Sequence, residues 1–138
     1  MQTHVGYLIK NISDKMRCCV DEHLKEHNLT FQQSKVIAFL AMKNNQASQK
    51  QIEDFLKVSH PTVVGIISRM EQNGYLTTFV DKIDKRNKIV KLTPKAIEKW
   101  DKLKTTIDAN EKQILKGLTD QQKLDFIAFL EQVYKNLI

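Results

Sequence analysis

The sequence predicts a mainly α-helical protein built on a winged helix-turn-helix, with about six helices and a β-hairpin wing. The first observation is an amphipathic helix that ends at Gly74. Its apolar residues recur at i, i+3, i+4 and i+7, the spacing of one buried helical stripe. These residues are Val63, Ile66, Ile67 and Met70. The second observation is a pair of short runs, 75–80 and 88–92, which are rich in β-branched and aromatic residues and flank a basic turn.

Helix starts are marked by capping boxes, in which a hydroxyl accepts a bond from a backbone amide and a glutamine returns the interaction. Segments of this form are Thr30-x-x-Gln33, Ser48-x-x-Gln51 and Thr119-x-x-Gln122. Thr93-Pro94 adds a fourth start, because proline is favoured at the first helical position. The predicted helices span about 3–27, 31–44, 49–56, 61–73, 94–117 and 120–137, with the hairpin over 75–92.

One domain covering 1–138 is the expected organisation, since 138 residues with 41% hydrophobic side chains can form a proper core without disulfides. The winged-helix part occupies about 31–93, between flanking helices at 3–27 and 94–137. Apolar stripes on the flanking helices exceed what a small winged module can cover, so we expect a homodimer; packing only within one chain is the alternative. The stripes consist of Val5, Leu8, Ile9, Ile12, Met16 and Val20, of Trp100, Leu103, Ile107 and Ile114, and of Leu124, Ile127, Leu130 and Leu137.

The charge balance indicates a polyanionic partner. Lys and Arg outnumber Asp and Glu by 22 to 16, and the sequence pI is near 9.3. Nucleic acid is favoured over a membrane, because the sequence has no strongly basic amphipathic helix and no apolar run of about 18 residues. The amino-terminal segment lacks a secretory signal pattern, and the two cysteines form no disulfide framework, so we expect a cytoplasmic protein.

The face of the 61–73 helix opposite the apolar stripe carries small polar groups and an arginine, which suits entry into a DNA major groove. Between Lys82 and Lys91 the wing adds five basic residues, which suit phosphate contacts. A two-fold dimer would place two such helices about 34 Å apart on a pseudo-palindromic, double-stranded operator. The expected DNA-binding residues are Ser59, His60, Thr62, Val64, Gly65, Ser68 and Arg69 on the helix and Lys85, Arg86 and Lys88 on the wing.

Gly65 lies at the centre of this outward face, where it costs about 1 kcal/mol relative to alanine. One interpretation is that a missing side chain lets the helix seat deeper in the groove, close to the base edges. The other is that Gly65 is incidental and tolerated because packing of the apolar stripe overrides helix propensity.

Three segments carry a resemblance to a known family. They are 58–76, Asp84-Lys85-Arg86 and Ile89-x-Lys91-Leu92-Thr93-x-Lys95-Ala96. They resemble the recognition helix, wing motif and return strand of MarR (multiple antibiotic resistance regulator) transcription factors, and the resemblance runs over essentially the whole chain. It implies a dimer built from the first, fifth and sixth helices, and a crevice beside the winged domain that can admit a small-molecule effector. It also implies that Arg86 enters the minor groove, oriented by Asp84.

Two pairs of residues on the first helix have competing interpretations. For the adjacent Cys18 and Cys19, packing or interface contacts compete with redox sensing, which one branch of the resembled family performs with a cysteine on this helix. His23 and His27 are at i and i+4, but no third metal ligand is evident. A solvated helix end is therefore favoured over a metal site at the histidines.

A lysine-rich tract occupies the fifth helix, interleaved with acidic residues. This pattern indicates a solvated face with i,i+3 and i,i+4 charge pairs. The tract consists of Lys95, Lys99, Lys102 and Lys104.

No catalytic motif, metal site or cofactor site is evident, so we do not expect an enzyme. The expected function is a dimeric, sequence-specific DNA-binding transcriptional regulator; by resemblance it is a repressor, released by a small ligand or by thiol oxidation. The alternative is a winged-helix protein-interaction or assembly module without sequence-specific DNA binding. The basic wing favours the regulator, because an interaction module does not need it.

Overall fold

The computed structural model describes residues 3–138 and confirms the predicted fold class. Within this range every predicted helix and the hairpin are present, with boundaries a few residues from those expected. The elements are α1 Val5–Glu26, α2 Phe31–Ala41, β1 Gln46–Ser48, α3 Gln49–Leu56, α4 His60–Gln72, β2 Leu76–Val80, β3 Lys88–Leu92, α5 Pro94–Ile114 and α6 Asp120–Asn136.

All three predicted capping boxes form. In each, the hydroxyl accepts from the backbone amide of the glutamine three residues later, and the glutamine side chain accepts from the capping residue's amide. At Ser48 the two distances to Gln51 are 3.1 and 2.9 Å. Because each box satisfies two amides that the helix itself cannot, α2, α3 and α6 start where the sequence predicts.

The sheet contains a strand that sequence analysis did not predict. β1 pairs antiparallel with β3, which also pairs antiparallel with β2, in the order β1-β3-β2. With only three residues, β1 is too short to show the alternation by which strands are recognised. Since Ser48 ends β1 and caps α3, the pairing of Ser48 with Ile89 attaches the return strand of the wing to the start of α3.

The core lies under α4, as the apolar spacing predicted. Val63 and Met70 are 0% exposed and Ile67 is 1% exposed, while Ile66 is half-buried and packs against the same cluster. Burial of side chains of this size contributes about 1.5–3 kcal/mol each. The other large, fully buried members of the cluster are Val36, Ile37, Leu40, Ile52, Leu76 and Val90.

Two compact units make up the chain, the first ending at Lys104 and the second running from Thr105 to Ile138. In the first unit, α1 buries only Leu24. In the second, no residue from 105 to 138 is buried. Exposed large apolar residues are Val5, Tyr7, Leu8, Ile9, Ile12 and Met16 on α1, and Leu124, Phe126, Ile127, Phe129, Leu130, Val133 and Tyr134 on α6. The single domain 1–138 and its subdivision stay predictions.

Hydropathy adds one further finding. None of the helices in the described part of the chain combines the length and apolar character that crossing a lipid bilayer requires.

The glycines at 65 and 74 have different structural roles. Gly74 has φ +80°, and the turn after α4 is closed by bonds from its N–H to the Glu71 carbonyl (3.0 Å) and from the Tyr75 N–H to the Met70 carbonyl (2.9 Å). This left-handed turn ends α4 and starts β2. At Gly65, by contrast, an added Cβ would meet nothing within 4 Å beyond its own stretch of helix.

We therefore expect opposite effects from the same substitution at the two positions. Gly65→Ala should raise the free energy of unfolding by about 1 kcal/mol, because alanine is the better residue in a helix interior. Gly74→Ala should lower it by about 1–2 kcal/mol, because a side chain disfavours the left-handed backbone. Urea denaturation of both variants against the parent chain measures these changes. Equal shifts of the same sign would contradict the assignment.

Candidate nucleic-acid interface

The amino-terminal turn of α4 is exposed and capped by Ser59. The Ser59 hydroxyl accepts from the Thr62 backbone N–H at 3.4 Å and lies 2.7 Å from the Thr62 hydroxyl. Pro61 occupies the first turn, where a missing N–H costs nothing. This exposed helix start carries the positive end of the α4 dipole, which favours a phosphate group.

His60 is the first residue of α4, and its ring is fixed by a carboxylate on the preceding helix. The Nδ1 atom of His60 is hydrogen-bonded to Oε1 of Glu53 on α3. The His60 side chain is 68% exposed, whereas that of Glu53 is only 13% exposed. The contact therefore holds an exposed imidazole at the helix start. Glu53 was not predicted from the sequence, because no local pattern connects residues seven positions apart on two helices.

The middle of α4 presents the predicted outward face to solvent. Val64, Gly65, Ser68 and Arg69 are all exposed, and Val64 retains 40% of its surface. With Ser59, His60 and Thr62 also exposed, the structure brings all seven predicted helix residues to one exposed surface of α4 and its cap. Such a surface can offer hydroxyl, guanidinium and methyl groups to the edges of base pairs.

The carboxyl-terminal turn of α4 is linked to the wing. The Thr78 hydroxyl on β2 donates to Oε1 of Glu71 at 2.9 Å. This contact joins α4 to a wing strand, and it was not predicted from the sequence. The sequence gives no signal for such a contact, since acidic residues on helix surfaces are ordinarily solvated.

Backbone bonds within the hairpin turn shape the wing. The Asp81 N–H donates to the Asn87 carbonyl, and the Asn87 N–H donates to the Asp84 carbonyl, both at 2.9 Å. The Asp81 carboxylate accepts from the Ile83 N–H at 3.0 Å. Ile83 is 97% exposed at the turn, an apolar side chain to which sequence analysis assigned no role.

Arg86 extends from this turn with Asp84 beside it. Oδ1 of Asp84 accepts from the Arg86 backbone N–H at 3.1 Å and from its Nε at 3.4 Å. The Arg86 side chain is 93% exposed, so this ion pair is weak and readily exchanged for another anion. Lys85 and Lys88 are exposed as well. Together these groups form a basic, solvated surface at the wing.

The remaining candidate residues lie on α1. Cys18 and Cys19 are both exposed, so neither packs inside the chain. Interface contacts and redox chemistry remain the alternatives for these two residues. Across residues 3–138, no three metal-ligating side chains come together around His23 and His27 or elsewhere.

Two sequence comparisons match parts of this chain to known proteins. The sequence profile of the MarR family matches residues 27–86. A curated relative, the uncharacterised HTH-type transcriptional regulator YwoH of Bacillus subtilis (strain 168), is 34% identical over 79 residues, and the alignment covers 57% of each protein. The chain thus matches little more than half the length of this relative.

Solved structures match over nearly the whole chain. The transcription regulator MarR from Oenococcus oeni PSU-1 has a TM-score of 0.76 at 27% identity, with 97% of this chain and 98% of that one covered. MepR of S. aureus, solved as a complex with DNA, has a TM-score of 0.85 at 22% identity, with coverage of 99% and 100%. The MepR match shows a shared fold.

Proposed function

We propose that this chain is a member of the MarR family, whose sequence profile matches residues 27–86, and that it is a dimeric, sequence-specific DNA-binding regulator of transcription in the cytoplasm. The observation that carries the proposal is the exposed surface of α4 beside a basic wing, on a fold shared with a protein solved on DNA. In this proposal α4 lies in the major groove and the wing contacts the adjacent minor groove.

Each predicted site residue has a role consistent with its environment. Ser59 and Thr62, at the exposed start of α4, contact a phosphate or base edge, and His60 does so from its Glu53-fixed position. Ser68 and Arg69 reach base edges, with Val64 near a thymine methyl. Arg86 exchanges its weak pair with Asp84 for the negative potential of a narrow minor groove. Lys85 and Lys88 contact phosphates.

The proposed partner of the exposed apolar residues is a second copy of the chain. On α1, Val5 and Tyr7 are 63% and 66% exposed; on α6, Leu124 and Phe129 are 63% and 69% exposed. Apolar patches of such extent are uncommon on monomeric proteins. Dimerisation would bury them and supply the two-fold symmetry that a pseudo-palindromic operator requires.

Repression and its release by an effector are proposed by analogy with the MarR family. The chain acts as a repressor that a small-molecule effector releases. Thiol oxidation is an alternative route of release, which the exposure of Cys18 and Cys19 permits.

A winged-helix module that binds only proteins is the alternative function. Selection of genomic DNA fragments, followed by titration of binding between 50 and 200 mM salt, distinguishes the two. If the chain is a regulator, the selected DNA fragments should share a common sequence. Its affinity for them should fall by orders of magnitude as salt screens the phosphate contacts. If the chain is an interaction module, the selected DNA fragments should share no common sequence at any salt concentration.

The wing gives a test at single residues. Arg86→Ala should weaken binding to the selected operator by about 1–3 kcal/mol, because a minor-groove contact carries sequence preference. Lys88→Ala should instead reduce the salt slope by about one ion with little change in sequence preference. Lys116→Ala, which removes the same charge outside the winged helix, is the control. Native affinity in a folded, dimeric Arg86→Ala variant would remove the wing from the mechanism.

Gly65 tests whether α4 approaches the bases closely. Gly65→Leu should abolish sequence-specific binding while leaving the dimer and the salt-sensitive, non-specific binding. A Cβ added at position 65 meets no atom of the protein within 4 Å beyond its own stretch of helix, whereas a leucine side chain would collide with the base edges of the groove. Gly65→Ala should lower specific affinity less. Fluorescence anisotropy with operator and scrambled duplexes measures both. If Gly65→Leu bound the operator as tightly as the parent, Gly65 would be incidental.

The dimer can be tested with a charge placed on α6. Ile127→Glu should shift sedimentation from dimer to monomer at micromolar protein, because an unpaired carboxylate would be buried at the interface. Gln132→Glu adds the same charge to an exposed polar position of the same helix and serves as the control. A parent chain that sediments as a monomer would refute the dimer directly.

A further inference from the structure

Two lysines one turn apart at the start of α5, Lys95 and Lys99, have hydrogen-bond partners that the sequence did not predict. Lys102 does fit the predicted charge pairing, since its Nζ lies 3.6 Å from Oε1 of Glu98 four residues earlier. Lys95 and Lys99 instead donate to backbone carbonyls on other helices. The predicted i,i+3 and i,i+4 charge pairs do not describe these two contacts, whose partners are distant in sequence; Lys95 is exposed, as predicted, whereas Lys99 is half-buried.

Lys95 contacts the carboxyl end of the proposed recognition helix. Its Nζ donates to the carbonyl oxygen of Asn73, the C-cap of α4, at 2.8 Å. The same ammonium lies 4.9 Å from the ring centroid of Tyr75. A positive charge at this end is attracted by the helix dipole and by a carbonyl that has no partner within the helix.

Lys99 makes the equivalent contact with α1. Its Nζ donates to the carbonyl oxygen of His27, the C-cap of α1, at 2.6 Å. Unlike most surface lysines, Lys99 is half-buried. One face of α5 therefore holds the carboxyl ends of two helices, α4 through Lys95 and α1 through Lys99.

Thr93 adds further hydrogen bonds between the start of α5 and the residues that follow α4. Its hydroxyl donates to the Gly74 carbonyl at 2.6 Å and accepts from the Ala96 N–H at 3.3 Å. Its backbone N–H donates to the Tyr75 carbonyl at 3.1 Å. The start of α5 is thus bonded to the three consecutive residues that follow α4, Asn73, Gly74 and Tyr75, so a movement of α5 would be transmitted to α4.

We infer that Lys95 and Lys99 are positioning residues that set the distance between the two recognition helices of the dimer. The inference rests on the proposed function, in which α1 contributes to the dimer and α4 reads DNA. Residues at i and i+4 are about 6 Å apart on a helix, so α5 fixes α4 relative to α1 within one turn. Through this connection the dimer contact defines which half-site spacing the protein accepts.

The experiment uses the full chain and an operator obtained by genomic selection. In a set of duplexes the separation of the two half-sites is increased or decreased one base pair at a time. The parent should prefer one spacing by about tenfold or more, since each base pair moves and rotates the second site relative to the first. Lys95→Gln and Lys99→Gln should each reduce this preference to about threefold or less.

Three measurements separate positioning from other roles. Affinity for a single half-site should stay within about twofold of the parent, because the reading residues are unchanged. Lys95→Arg, which retains the charge and donors, should retain the spacing preference. Lys104→Gln, which removes a lysine from an exposed position of the same helix, should retain it as well.

Each result decides between clear alternatives. Unchanged spacing preference in both Gln variants would overturn the inference while leaving the proposed function intact. A loss of half-site affinity as large as the loss on the full operator would also overturn it, since that pattern indicates a damaged recognition helix or a direct phosphate contact. A parent chain without sequence-specific binding or spacing preference would reject the proposed function together with the inference.

Discussion

The candidate interface depends first on the burial of one face of α4. Val63, Ile67 and Met70 are no more than 1% exposed. Exposing any one of these side chains to water would cost about 1.5–3 kcal/mol of folding free energy. A rotation of α4 about its axis would expose all three together. Burial therefore determines which residues of α4 face outward, and the polar surface that includes Ser68 and Arg69 is the geometric consequence of a fully occupied apolar surface.

Burial alone does not fix where α4 lies along its own axis, because apolar contact is non-directional. Directional bonds at both ends of the helix supply that information. Glu53 holds His60 at the start, Glu71 binds Thr78 of the wing, and Lys95 binds the Asn73 carbonyl at the end. Exposed polar contacts of this kind contribute about 0–1 kcal/mol each, so their effect on position exceeds their effect on stability. Loss of one such contact costs too little free energy to unfold the protein.

The exposed side chains of this chain are of two opposite kinds. The wing keeps its basic side chains in solvent, with Arg86 93% exposed and paired only weakly to Asp84. By contrast, α1 and α6 expose apolar side chains such as Tyr7 and Phe129, at 66% and 69%. Under the proposed function the basic side chains of the wing contact a polyanion, and the apolar side chains of α1 and of α6 contact a copy of the same chain. DNA would neutralise the concentrated positive charge of the wing. A second copy of the chain would bury the apolar side chains that are exposed in the isolated chain.

The sequence by itself determined those features that arise within a few residues. The 3.6-residue period identified α4 and its outward face, the capping boxes located the starts of α2, α3 and α6, and Gly74 marked the turn into the wing, because all of these depend on bonds or spacing inside one helical turn. The candidate DNA-binding residues came from the same local patterns. Only the tertiary structure revealed β1, the Glu53–His60 contact, the exposure of Cys18 and Cys19, and the bond from Lys99 to the carbonyl of His27, 72 residues away. Such contacts join side chains to partners that are far apart along the chain, and a lysine that caps another helix has the same sequence signature as one that is solvated.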